Sequence, residues 1–191
     1  MEIKPVQTKY NGYLFRSRLE ARWAMFFDAC GVRYEYEPEG FDLGDGIYYL
    51  PDFLLHGVVG RVEGDLYVEV KGRMTSSDVN KIVRFAVGDS FGLGGPNWKV
   101  ENKIYVVNSI PNGNNIIDIL NYAEQEECEE LGVKYFNYEY IDGDYWTGIP
   151  ACCNDGTFQI IDMCHINEID GKRTLNAYEK ARQARFEKGA I

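Results

Sequence analysis

YLPDFLLHGVVGRVEGDLYVEVKG, residues 49–72, decides the reading of this chain. Both ends look like strands, apolar and β-branched, yet Asp52 and Glu69 sit inside them and Lys71 follows Glu69 by two residues. Charge in a buried strand is costly unless it is paired or bound to a cation. Side chains i and i+2 of a strand share a face, so Glu69 and Lys71 point the same way. Asp52 follows Pro51 on the preceding strand; if the two strands are neighbours, it reaches the face of Glu69. Carboxylates that close repel unless one is protonated or a cation lies between them. A hard divalent ion such as Mg²⁺ or Mn²⁺ suits the pair, being commonly held by one or two carboxylates with waters and substrate phosphates. Lys71 beside them can orient or deprotonate a water, or hold charge developing on a phosphate. Together these residue types point to phosphodiester hydrolysis.

Working outward, FRSRLEARWAMFFDACG (15–31) brings Leu19, Trp23, Phe26 or Phe27 and Cys30 to one side at helical spacing, with Ser17 or an earlier polar residue suited to cap it and Gly31 to end it. VRYEYEP (32–38) alternates with period two and reads as a strand stopped by Pro38 and Gly40. IYYLPDFLL (47–55) reads as a second strand, GRVEGD (60–65) as a hairpin connection and LYVEVKG (66–72) as a third strand. SSDVNKIVRFAVG (76–88) predicts a helix with Val79, Ile82, Val83 and Ala86 inside. FGLGGPN (91–97) reads as a loop, KIYVVNSI (103–110) as a buried strand and NIIDILNYAEQEECEELG (115–132) as an amphipathic helix. An antiparallel opening followed by one crossover predicts an α/β protein with helices flanking a mixed sheet. We expect this core over residues 1–131. A small C-terminal appendage, 132–191, would hold short strands and turns and end in a basic helix at 174–188.

The chain of 191 residues is long enough for one domain with a proper core. No apolar run approaches the roughly 18 residues of a membrane span, so no membrane partner is expected. MEIKPVQTKY lacks the apolar stretch of a secretion signal, and the five cysteines are an odd count. The expectation is a cytoplasmic protein with reduced thiols. A net charge of −10 argues against nonspecific coating of nucleic acid. The charge is uneven, however: residues 1–34 and residues 169–191 each hold six Lys/Arg against three acids, which leaves the middle strongly acidic. The basic ends read as solvated faces or as a surface that tracks phosphates.

LPDF (50–53) and YVEVKG (67–72) resemble the signature of the PD-(D/E)XK nuclease superfamily, at Pro51, Asp52, Glu69 and Lys71. The resemblance implies a restriction-endonuclease-like fold with an αβββαβ core over about residues 14–110, in line with the element order above. FRSRLEARWA resembles the Glu-bearing first helix of resolvase-like and phage-type members and puts Glu20 in that role. It implies that Asp52, Glu69, the Val70 carbonyl and Glu20 hold Mg²⁺ or Mn²⁺, and that Lys71 positions the attacking water. Lys81 or Arg84 would meet the scissile phosphate. Arg16, Arg18 and Arg22 on the first helix would contact DNA phosphates or form salt bridges with Glu20 or Asp28. The implied activity is DNA cleavage in a bacterial or phage-infected cell. Two rivals stand beside it: a non-catalytic phage or host-interaction protein that binds a partner through its acidic surface, and a nuclease subunit that needs a partner. The oligomeric state is left open.

Cys152, Cys153, Cys164 and His165 suggest zinc, but adjacent Cys-Cys and Cys-His pairs are not the C-x₂₋₄-C spacing of a tetrahedral site, so we read buried free thiols. His56 reads as the end of a strand. GLGGP lacks the GK[ST] of a phosphate loop. The aromatics of YFNYEYIDGDYW (135–146) either stack bases or pack an acidic sheet face.

Overall fold

The computed structural model describes residues 5–59, 64–88, 102–107, 110–111, 116–118, 138–139, 145–146, 149–161 and 168–186. In chain order its elements are β1 (Thr8–Tyr10), β2 (Tyr13–Phe15), α1 (Arg18–Cys30), β3 (Arg33–Tyr36), β4 (Phe41–Asp42) and β5 (Tyr48–Tyr49). Then follow β6 (Phe53–Val58), β7 (Gly64–Val70), α2 (Ser76–Val87), β8 (Ile104–Val107) and β9 (Ile116–Asp118). Last come β10 (Tyr138–Glu139), β11 (Tyr145–Trp146), β12 (Ile149–Cys152), β13 (Phe158–Ile161) and α3 (Gly171–Gln183).

The architecture is mixed α/β. A five-stranded sheet runs β3-β6-β7-β8-β9. β3, β6 and β7 pair antiparallel, β7 and β8 pair parallel, and β8 and β9 pair antiparallel. The parallel step needs a crossover, and α2 lies within it. Period-two alternation divides the sheet into two cores. On one face Leu66, Val68, Val70, Phe53 and Leu55 pack with Trp23, Phe26 and Phe27 of α1. On the other, Tyr67, Ile104 and Val106 pack with Ile82, Val83 and Phe85 of α2. Glu69, two residues after Tyr67, falls on the α2 side.

Both helices start on side-chain caps. Ser17 accepts the Glu20 N–H at 3.2 Å, and Thr75 and Asp78 close a capping box on α2. α1 ends at Gly31 in the left-handed region, φ 75°, where a side chain would be strained.

α3 lies antiparallel to α1. Arg173, near its start, donates to the Cys30 carbonyl at 2.8 Å, and Arg22 reaches carbonyls at its end. Buried Ala177 and Ala181 permit the close approach, and Phe26 stacks on Tyr178 with centroids 4.4 Å apart. The segment beyond residue 131 thus contributes Cys152, Phe158, Ile160 and Tyr178 to the same cluster as α1.

The β1–β2 hairpin is not expected from the sequence, and three expected elements differ. IYYLPDFLL is two strands: β5 pairs with β4, and β6 begins only at Phe53, because Pro51 cannot donate to a ladder. Ile116–Asp118 is a strand antiparallel to β8 rather than a first helical turn, its β-branched residues meeting an open sheet edge. The remainder of that expected helix, the 91–97 loop and most of 135–146 lie outside the described residues. α3 begins at Gly171 rather than at 174, since Asp170 caps it by accepting the Arg173 N–H at 3.0 Å, and it ends at Gln183. Among the described residues no helix is long and apolar enough to cross a membrane.

Candidate active site

β6 and β7 pair Phe53 with Val68. Continuing the register by one residue sets Asp52 opposite Glu69, and by two sets Pro51 opposite Val70. The antiparallel ladder would there require an N–H from residue 51, which proline lacks. The strand breaks, and the Val70 N–H finds its acceptor in the Asp52 side chain, Oδ2, at 2.7 Å. The N–H and C=O of a strand residue point to the same side, so the Val70 carbonyl faces the same gap.

Both carboxylates are deeply buried, each 2% exposed. Glu69 Oε2 accepts the Tyr49 hydroxyl at 2.7 Å, and Lys71 Nζ lies 2.9 Å from Glu69 Oε1. Lys71 also reaches Asp78 Oδ1 at 3.4 Å. Asp52 Oδ1 meets the guanidinium of Arg16, whose Nε holds Glu37 Oε1 at 2.8 Å. A cleft of about 140 Å³ opens among Arg16, Tyr49, Glu69, Lys71, Asp78 and Lys81.

These contacts set the charge states. Burial, then Glu69 and Glu20, hold the Asp52 carboxyl well above the usual range, against the opposing pull of the Val70 N–H and Arg16. Burial acts to lower Lys71, but Glu69 and then Asp78 outweigh it and raise the ammonium above its ordinary value. The Lys71 ammonium is therefore protonated at neutral pH. Burial and then Glu69 also raise the Tyr49 phenol, which remains a donor. Burial pushes Asp78 up, yet the Thr75 hydroxyl and Lys71 bring it below the ordinary value.

Asp52, Glu69 and Lys71 are brought together as the spacing suggested. Lys81 lines the cleft. Glu20, expected among the metal ligands, is committed elsewhere: Oε2 accepts the Tyr36 hydroxyl at 2.6 Å and the Arg16 N–H at 3.0 Å, and Oε1 accepts the Ser17 hydroxyl at 2.6 Å. Those bonds close the start of α1, where an acid is favoured by the helix dipole. Arg16 precedes α1 rather than lying on it and belongs to the cleft. Arg18 is exposed. Arg22, expected at a phosphate, instead donates to the carbonyls of Ala181, at 2.6 Å, and Arg182. The last carbonyls of a helix lack partners, and a cation suits that end of the dipole. Arg84 pairs with Asp45 of the β4–β5 turn at 3.0 Å rather than entering the cleft. His56 sits within β6 between Glu35 and Asp65.

Cys152 and Cys153 are buried and serve different clusters, because adjacent strand residues point to opposite faces. They do not converge on one ion. Cys164 and His165 lie outside the described residues. Sequence reading missed Tyr49, Glu37 and Asp78. Only Asp78 carried a signal: TSSD (75–78) is legible as a capping box, though its second bond to Lys71 is not.

Among the described residues no three His, Cys, Asp or Glu side chains are grouped to hold a metal. Two facing carboxylates, pinned by a main-chain N–H and a phenol, nevertheless make an all-oxygen donor pair, and the Val70 carbonyl shares the gap. That set fits a hard divalent ion which takes its other ligands from water and substrate. No protein-family model matches the chain, and neither curated proteins nor solved structures yield a match.

Proposed function

We propose that this protein is a divalent-metal-dependent nuclease of the PD-(D/E)XK type that hydrolyses phosphodiester bonds in DNA. The observation that carries the reading is the pairing of β6 with β7, which sets buried Asp52 opposite buried Glu69 with the Lys71 ammonium 2.9 Å from Glu69. The succession α1, β3, β6, β7, α2, β8 supports a restriction-endonuclease-like αβββαβ core. Asp52, Glu69 and the Val70 carbonyl would hold Mg²⁺ or Mn²⁺, which supplies when bound an acidified water and charge opposite the phosphate. The chain's own residues do the rest. Lys71, kept cationic by Glu69 and Asp78, faces the cleft where a phosphate gathers negative charge. Lys81 adds a second cation at the mouth. The antiparallel contact of α1 with α3 brings the two basic ends of the chain side by side, which supports a phosphate-tracking surface outside the cleft.

Plasmid nicking tests this reading. Nicking is expected with Mg²⁺ or Mn²⁺, is abolished by EDTA, and is lost in Asp52→Ala and Lys71→Ala. Cleavage that persists in EDTA, or in both variants, overturns the mechanism.

A second reading has its own observation. Each carboxylate already has a cation of the chain beside it, Arg16 on Asp52 and Lys71 on Glu69. Such a balanced set also suits a nuclease fold diverted to binding a protein through its acidic surface, or a subunit completed by a partner. Inactivity on every nucleic acid, together with a stable protein partner in a pull-down, favours that reading.

A further inference from the structure

We propose that Arg16 is an exchangeable counter-ion, holding Asp52 while the site carries no divalent ion and turning to a substrate phosphate when one binds. This inference rests on the nuclease reading and adds to it a coupling between metal and nucleic acid.

The four charged groups differ in freedom. Asp52 and Glu69 are pinned, by the Val70 N–H and the Tyr49 hydroxyl, and are nearly inaccessible. The cations are the mobile members: the side chain of Arg16 is 51% exposed and that of Lys71 33%. Each has a second anchor outside the carboxylate pair, Lys71 at Asp78 and Arg16 through the 2.8 Å contact of its Nε with Glu37, and of the two Arg16 is the more exposed. Glu37 is itself fixed beside Asp52, its N–H donating to the Asp52 carbonyl at 2.9 Å from a left-handed conformation, φ 48°. The Arg16 main chain is fixed too, its N–H donating to Glu20 and to the Tyr36 hydroxyl, each at 3.0 Å. Leaving Asp52 therefore needs only side-chain rotation, and Glu37 keeps the guanidinium at the mouth of the cleft.

A divalent ion and Arg16 compete for the same Asp52 oxygen. A phosphate offers the guanidinium a planar, bidentate partner in exchange. Nucleic acid removes the competitor and so raises metal affinity, and by reciprocity the metal raises affinity for nucleic acid.

The test follows Mn²⁺ binding to the full chain by the EPR signal of free Mn²⁺, with and without a short DNA duplex. Arg16→Gln is expected to bind Mn²⁺ about two- to fivefold more tightly than wild type without DNA, the range of a partly exposed ion pair. Adding duplex tightens Mn²⁺ binding to wild type but not to Arg16→Gln. Arg16→Lys, which keeps the charge without the fork, stays near wild type without DNA and loses most of the coupling. Equal or weaker Mn²⁺ binding by Arg16→Gln, or a wild-type affinity indifferent to duplex, overturns the proposal. If Asp52→Ala abolishes Mn²⁺ binding in that event, the nuclease reading survives it. Absence of Mn²⁺ binding to wild type overturns both.

Discussion

Asp52 accepts the main-chain N–H of Val70 at 2.7 Å, just past the point where the β6–β7 ladder ends. A side chain thus caps the end of the ladder, and the same register sets it opposite Glu69. Its charge is poorly solvated there, and the consequences can be measured.

Burial and Glu69 raise the folded-state pKa of Asp52. The folded protein then binds this proton more tightly than the unfolded chain. The associated stability is fully present below the ordinary carboxylate value, about 3.9, and is lost as pH rises through the folded value. Asp52→Asn is therefore expected to be more stable than wild type in EDTA at neutral pH, by on the order of 1 kcal/mol or roughly 2–4 °C in Tm. The gap should close toward about pH 4. Thermal melts across pH check this. A neutral-pH Tm below wild type would mean that contact with Arg16 outweighs desolvation.

Tyr49→Phe removes the donor to Glu69 Oε2 and leaves a buried carboxylate oxygen without it. A loss of about 1.5–3 kcal/mol is expected, as for hydrogen bonds to charged groups, measured by urea denaturation in EDTA. A divalent ion should restore more stability to the variant than to wild type.

Glu20 separates two roles. As a capping residue bonded to Ser17 and Tyr36, its replacement in Glu20→Gln is expected to cost about 1 kcal/mol and to leave Mn²⁺ affinity within about twofold. A large loss of metal affinity with unchanged stability would return Glu20 to the ligand set.

Arg22→Ala should destabilise the protein by about 1–3 kcal/mol through the lost bonds to the end of α3, without weakening DNA binding. Arg18→Ala, at an exposed position, should do the reverse: little change in stability and a shallower salt dependence of DNA affinity. Denaturation and fluorescence anisotropy on the same two variants read out both.

Local patterns carried far in this chain. Alternation in LYVEV set Glu69 and Lys71 on one face, helical spacing marked the buried side of α1, and Ser17 with Gly31 bounded that helix, because periodicity and capping depend on residues close in sequence. Distant pairings followed other rules. Arg22 meets a carbonyl 159 positions away, Arg16 turns to Asp52 36 positions on, and Tyr49, on the separate β4–β5 ladder, finds Glu69. Strand register and helix packing decide which polar group a long side chain can reach, and neither is written in the spacing of its neighbours. Sequence alone therefore determined which residues could form a charged cluster on this sheet, while tertiary structure decided that buried Asp52 meets Arg16 and buried Glu69 meets Lys71, and that Glu20 and Arg22 are committed to helix ends.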